Sequence, residues 1–349
     1  MNAQPTRVAV LAHDLFPHRA KTATGVLRYA DYDVAAVLDR SNPGTRASDH
    51  LSLPDGRDAP IVESMADALS EGEIDALVVG IAPIGGGFDE SWRGDVERAL
   101  EAGLDVISGL HYFLAEDDEF AALAEAHGAT IHDVRKPHPD LTVSEGRASE
   151  VDADVVLTVG TDCSVGKMTV SLELTRAARE RGIDAGFVPT GQTGIMIAGW
   201  GNPIDRVVSD FTAGAVEEMI LEMGDTHDVL FVEGQGSIVH PAYSAVTCGI
   251  LHGAMPDAIV LCHVAGREAI HGYESTAIPD PGTYVDLYED LAGPVHPGEV
   301  VAGAVNTSSI DSDAAAREAL DAFGSQVGGP ATDPIRFDAD ELLDAVLDA

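Results

Sequence analysis

Between Asp154 and Thr169 the chain reads DVVLTVGTDCSVGKMT, an apolar run that enters a glycine loop and leaves it with helical spacing. Strand, loop and helix in that order suit an anion. Successive backbone N–H groups and a helix N-terminus form a concave nest, and Lys167 adds a point charge. Glycine at 160 and 166 lets the backbone approach a ligand without a Cβ in the way. The candidate phosphate site is therefore Gly160, Thr161, Asp162, Cys163, Ser164, Val165, Gly166, Lys167, Met168 and Thr169. Its spacing departs from the plain G-x-x-x-x-G-K-[ST] pattern. Five residues separate the two glycines, Met168 stands where a hydroxyl would hold Mg²⁺, and Thr169 comes one place late.

Other residues must be brought to this loop by the fold. Val229–Gly236 (VLFVEGQG) reads as a strand ending in Glu233, whose carboxylate then lies near bound phosphate, metal or a reacting amine. Thr190–Gly194 (TGQTG) follows another strand and supplies amide N–H groups, Gln192 and Thr193. The elements that carry them fall into two series. Arg7–Ala12, Val34–Leu38, Ala76–Ile81 and Leu104–Ser108 are short continuous apolar runs, the pattern of buried parallel strands. Helical spacing lies between them at Glu63–Leu69, Gly94–Ala102 and Glu119–His127. A second strand series occupies Asp154–Val159, Ala185–Pro189, Val229–Glu233, Ala258–His263 and Val300–Val305. Its helices are expected at Gly166–Arg181, Asp210–Met223, Asp313–Ala322 and Asp338–Leu347, with Asp338 as N-cap. The expected fold is α/β: a Rossmann-like parallel-sheet domain over residues 1–147 and a P-loop α/β domain over 148–349, divided within the polar stretch KPHPDLTVSEGRASE.

Composition narrows the classes. With 45% hydrophobic and 23% charged residues the chain can build packed cores. No apolar run reaches the ~18 residues of a membrane span, and the N-terminus lacks the basic leader of a secretory signal. Cys163, Cys248 and Cys262 form no metal or disulfide pattern and read as free thiols. Lys plus Arg is 20 and Asp plus Glu is 59, a net charge of −39. Such a surface repels nucleic acid and anionic lipid. Molar salt, with a Debye length of about 3 Å, would relieve its self-repulsion, so the charge points to the cytoplasm of a salt-accumulating organism.

GTD-x-x-VGK resembles the variant loop of dethiobiotin synthetase and its nucleotide-binding relatives, and VEG-x-G resembles the strand end of the same group. Asn306, closing VVAGAVNTS, sits where those relatives place an amide that reads a base edge. The whole chain is similar to a two-domain family, long of unknown function, associated with D-glutamate N-acetyltransferase. GIAPIGGG (Gly80–Gly87), GLHYFLAEDDE (Gly109–Glu119), DVRKPHPDL (Asp133–Leu141), GTDCSVGKMT, TGQTGI, EGQGSIVHPAYS (Glu233–Ser244) and LHGAMPDAIVLCH (Leu251–His263) carry the resemblance.

The resemblance implies acetyl transfer from acetyl-CoA to the amine of D-glutamate, a small-molecule partner. An anion nest can hold the coenzyme A pyrophosphate without cleaving anything, and losing the Mg²⁺-binding hydroxyl harms ATP hydrolysis more than such static binding. A base must free the amine; Glu233 and His240 are the candidates, although His240 before Pro241 also reads as an ordinary loop histidine. Glycine-loop N–H groups could stabilise the oxyanion. The acceptor's carboxylates need cations. Arg135 and Lys136 stand together in DVRKPHP and Arg206 is a further candidate. Asp205 and Asp210 could hold a cation or orient substrate, though an N-cap role explains Asp210 equally well. Cys163 at a helix N-terminus could relay the acetyl group; direct attack is the simpler expectation. His111, His252, His263 and His271 lack metal-ligand spacing, so no metal site is expected. The first domain has no G-x-G-x-x-G and is expected to close the cleft or build a homo-oligomer. The rival reading is an ATP/Mg²⁺-dependent ligase, carboxylase or kinase of dethiobiotin synthetase type.

Overall fold

The computed structural model describes residues 7–81, 83 and 86–349, so Ala82, Ile84 and Gly85 of GIAPIGGG lie outside the described residues. In the first half of the chain, strands β1 (Arg7–Leu11), β2 (Asp33–Leu38), β3 (Ile61–Val62), β4 (Ala76–Val79), β5 (Asp105–Ser108) and β6 (Ile131–Asp133) form one sheet. Its order is β3-β2-β1-β4-β5-β6, parallel throughout. Helices α1 (Lys21–Tyr29), α2 (Met65–Glu71), α3 (Arg93–Glu101) and α4 (Asp118–His127) connect the strands. Val8, Ala9, Val10 and Leu11 are wholly buried, which is why these strands read as continuous apolar runs.

The second half holds β7 (Asp154–Gly160), β8 (Ala185–Val188), β9 (Val229–Val232), β10 (Ala258–Val264), the hairpin β11 (Ala269–Ile270) and β12 (Tyr273–Ala277), then β13 (Glu299–Asn306) and β14 (Ala331–Thr332). The main sheet runs β14-β13-β10-β7-β9-β8, again all parallel. Helices α5 (Lys167–Glu180), α6 (Gln192–Ala198), α7 (Thr212–Met223), α8 (Ser244–Ala254), α9 (Pro281–Ala292), α10 (Asp313–Val327) and α11 (Asp340–Leu347) complete it. Parallel pairing places the C-terminal ends of β7, β8, β9, β10 and β13 on one edge, where ligands of open α/β sheets bind.

The chain forms two compact units, one of Met1–Pro137 with Gln192–Pro203 and the other of His138–Gly191 with Ile204–Ala349. These bounds differ from a single division at 147/148. The residues before 148 are tied to the second unit by Glu217 of α7, which accepts from Ser144 Oγ and from the amides of Glu145 and Arg147. Helix α6 belongs to the first unit because Met196 is buried in that unit's core and Ile197 packs against it. Asp338 is displaced from its expected role: Ala339 is the N-cap of α11, and the Asp338 carboxylate accepts from the Asp340 amide instead.

Candidate functional site

The glycine loop is held by its carbonyls. Tyr288 Oη donates to Gly160 O at 3.0 Å and Tyr284 Oη to Thr161 O at 2.8 Å. Lys167 Nζ donates to Asp162 O at 2.8 Å, and Arg267 Nη1 donates to Cys163 O at 2.8 Å. Four consecutive carbonyls thus have side-chain donors, which fixes the direction each peptide faces. The N–H groups of Ser164, Val165 and Gly166 that follow make no hydrogen bond among the described residues. Gly166, at φ +108°, then turns the chain into α5 through a conformation closed to most side chains. Three successive N–H groups without an acceptor among the described residues, leading into a 14-residue helix, have the arrangement that receives an anion. Lys167 is buried and also donates to Gly236 O at 2.8 Å. That carbonyl follows Gly234, where a Cβ would lie 1.8 Å from Thr158 O, so only glycine lets the chain after β9 pass this close to β7.

Met168 is buried, an apolar side chain where a Mg²⁺-binding hydroxyl would stand. The nearby hydroxyls serve the fold: Thr158 Oγ1 and Ser171 Oγ lie 2.9 Å apart, and both reach Val232 O. Asp162 is fully buried, with both carboxylate oxygens hydrogen-bonded. Its Oδ1 accepts from the Cys163 amide at 2.6 Å, and its Oδ2 from Arg267 Nη1 at 3.0 Å and the His271 amide at 2.9 Å. His263, at the end of β10, meets Thr161 Oγ1 through Nδ1 at 2.8 Å and stacks on Phe323. Burial first, then the Arg267 charge, lowers the His263 pKa to about 4 against the pull of Asp162.

Glu233 follows β9 and is buried. Its Oε2 accepts from the amides of Gly191 at 3.1 Å and Thr190 at 3.3 Å, and Thr190 Oγ1 donates to its backbone carbonyl at 2.6 Å. The carboxylate therefore shapes the start of TGQTG. His240 is buried with Nε2 3.9 Å from Asp162 Oδ1. Desolvation lowers its pKa, with the Lys167 charge acting the same way and Asp162 opposing. Asp162, Cys163 and His240 are the one convergent His/Cys/Asp/Glu group among the described residues, with donor atoms within 4.8 Å of one another. Arg267 on Asp162 and the backbone donor on His240 Nδ1 make that group unsuited to a cation.

The remaining expected residues are spread over both units. In the second, Asn306 closes β13, exposed, with Oδ1 accepting from the Ser308 amide. Arg206 and Asp210 sit in short 3₁₀ turns, and Phe211, not Asp210, is the N-cap of α7. In the first unit, buried Arg135 donates from Nε to Gly109 O at 2.6 Å and meets His111 Nε2 at 2.9 Å through Nη1. Lys136 is exposed, 3.8 Å from Glu116. Gln192 begins α6, and buried Thr193 shares a 2.8 Å hydroxyl contact with Thr22 of α1.

Sequence reasoning missed Arg267, Tyr284 and Tyr288 and gave His263 no role. Only the tyrosines left a signal, two aromatics four residues apart and so on one helix face. Arg267 and His263 reach the loop because β10 pairs with β7, Cys262 opposite Gly160, a juxtaposition that no local pattern encodes.

Two family models and several known proteins match the chain. Residues 142–343 match the family described as a domain of unknown function (DUF1611_C), P-loop domain, and residues 40–137 match DUF1611_N, Rossmann-like domain. A protein from Pseudoalteromonas named D-glutamate N-acetyltransferase is 39% identical over 76% of this chain and 80% of its own. A protein of the same name from Tritonibacter scottomollicae is 37% identical over 85% of this chain and 88% of its own. The crystal structure of a DUF1611 family protein from Anabaena variabilis superposes with a TM-score of 0.93 at 40% identity, covering 99% of this chain and all of that one.

Proposed function

The chain belongs to the DUF1611 family, and from that premise we propose that it is an N-acetyltransferase moving an acetyl group from acetyl-CoA to the amine of D-glutamate. The names of two relatives supply the reaction and acceptor. The observation that carries the donor is the cradle: the N–H groups of Ser164, Val165 and Gly166, backed by Lys167, have no acceptor among the described residues. A diphosphate fits them. The buried Met168 takes the place of the hydroxyl that phosphoryl transfer needs for its Mg²⁺, which favours a loop that grips a diphosphate as a handle over one that cleaves it.

The amine nitrogen forms a bond to the thioester carbonyl carbon, the C–S bond breaks, and the thiol leaves with a proton. An ammonium cannot attack, so a base must take its proton first. Of the two candidates, Glu233 is the proposed base. Thirteen bonds separate the diphosphate from the thioester sulfur, an extended reach of about 15 Å by ordinary covalent geometry. For Glu233 to serve, that arm must bend back along the sheet edge. Arg206 is the proposed partner of an acceptor carboxylate, with Asp210 supporting it, and Asn306 the proposed contact to the adenine.

Free-thiol release from acetyl-CoA in molar KCl tests the reading. Release should require an amino acid, be fastest with D-glutamate, and persist with EDTA and without ATP. Substrate-dependent ADP formation that needs Mg²⁺ would replace it with the phosphoryl-transfer reading.

A further inference from the structure

The position of one proton on His240 separates two roles for this residue. The Ala242 amide donates to Nδ1 at 3.1 Å, so the Nδ1 lone pair is occupied. A neutral imidazole carries a single N–H, which must then sit on Nε2. The ring cannot easily turn: it lies against Tyr243 with centroids 4.6 Å apart and meets Tyr273 edge-on at 5.2 Å. Only 1% of the residue is exposed.

What the Nε2–H faces is the middle of the glycine loop, Asp162 and Cys163. Asp162 Oδ1 is 3.9 Å away, beyond hydrogen-bond distance, and both carboxylate oxygens are already satisfied by Cys163, Arg267 and His271. The Nε2–H therefore has no hydrogen-bond acceptor among the described residues, and its charged and polar neighbours are Asp162, Cys163 and Lys167.

We infer that His240 is a member of the anion cradle, an uncharged Nε2–H donor to a diphosphate oxygen, and not the base that accepts the amine's proton. The inference rests on the proposed function only for the identity of the diphosphate as that of coenzyme A. With Nε2 already protonated and Nδ1 taken, the ring has no lone pair to offer an ammonium. Burial pushes its pKa below the ordinary histidine value, with Asp162 opposing and Lys167 acting the same way as burial.

Two measurements decide it, and neither depends on turnover. Nitrogen-15 NMR of the resting protein labelled at histidine should find His240 protonated on Nε2 and bare on Nδ1 at neutral pH; the opposite tautomer, or an imidazolium, overturns the inference. Calorimetric titration with inorganic pyrophosphate and with coenzyme A, in molar KCl, should show His240→Ala weakening both by about tenfold or more. His240→Gln, whose side-chain amide can donate from a similar reach, should recover most of the loss. Unchanged pyrophosphate affinity in His240→Ala, or a loss that follows lowered thermal stability and is not recovered by His240→Gln, overturns it. Where acetyl-CoA turnover is observed, His240→Ala should raise KM for acetyl-CoA and leave kcat at saturation nearly unchanged; a collapse of kcat at constant KM would restore the base. Pyrophosphate affinity lost in the variant, with no acetyl transfer by the native protein to any acceptor, would remove the proposed function and leave the cradle standing.

Discussion

Lys167 and Tyr288 both hold carbonyls of the same loop, Lys167 through Asp162 O and Tyr288 through Gly160 O, but only Lys167 adds a charge. Lys167→Ala removes the cradle's only ammonium, one of three lysines in the chain. It should raise KM for acetyl-CoA at least tenfold, the scale of a charge-assisted hydrogen bond, with a smaller effect on kcat. Steady-state kinetics with acetyl-CoA varied at saturating acceptor separates the two. Tyr288→Phe acts through stability. Its hydroxyl donates to Gly160 O and accepts from the Ile238 amide at 3.1 Å in a fully buried site, so deletion orphans two backbone groups. We expect a loss of about 1–3 kcal/mol in equilibrium denaturation. Cys163→Ser should keep most of the turnover, because direct attack needs no acetyl-enzyme; its abolition with coenzyme A affinity intact would establish a thiol relay instead.

At the scale of elements, the strands were the most legible part of the sequence. The nine expected strands are apolar runs of parallel sheets and their observed bounds fall within two residues of those expected, whereas the short edge strands β3, β6 and β14 and the hairpin β11–β12 had no such run and were missed. Helices were legible where their apolar stripe was clear, as in α5 and α7. Helix α1 was missed because KTATGVLRY mixes threonine and glycine, poor helix formers, and α9 because its opening PDPG reads as a turn while Pro281 in fact occupies the first helical turn. The loop from Gly160 to Lys167 stood out from sequence because its chemistry is local. Its carbonyl holders did not, because α9 and β10 reach it through topology. His263 shows what that topology costs. Its folded pKa of about 4 lies below the ~6.5 of an unfolded histidine, so the unfolded chain binds its proton first as pH falls. The stabilising contribution is complete above about pH 6.5, declines between there and about 4, and is gone below. Denaturation midpoints across pH 4 to 7 should follow that slope, and His263→Asn should flatten it.

The whole molecule carries 59 acidic against 20 basic residues, and the visible ion pairs are mostly exposed arginine–carboxylate contacts such as Arg181 with Asp340 and Arg46 with Asp58. Exposed pairs contribute little each, and they leave most of the acid uncompensated. We propose that the protein works in concentrated salt, where self-repulsion is screened. The melting temperature should therefore rise steadily from 0.1 M to multi-molar KCl; a flat or falling curve would assign the charge to something other than its solvent. None of the described helices is long and apolar enough to cross a membrane.

Gripping the diphosphate of an acyl donor is the proposed work of the second unit's cradle, and an equilibrium titration measures that grip. Coenzyme A, titrated into the native protein and into Lys167→Ala with EDTA present, should bind the native protein without metal and bind the variant at least tenfold more weakly. Equal affinity for the two proteins, or no binding until Mg²⁺ and a nucleoside triphosphate are supplied in its place, would contradict it.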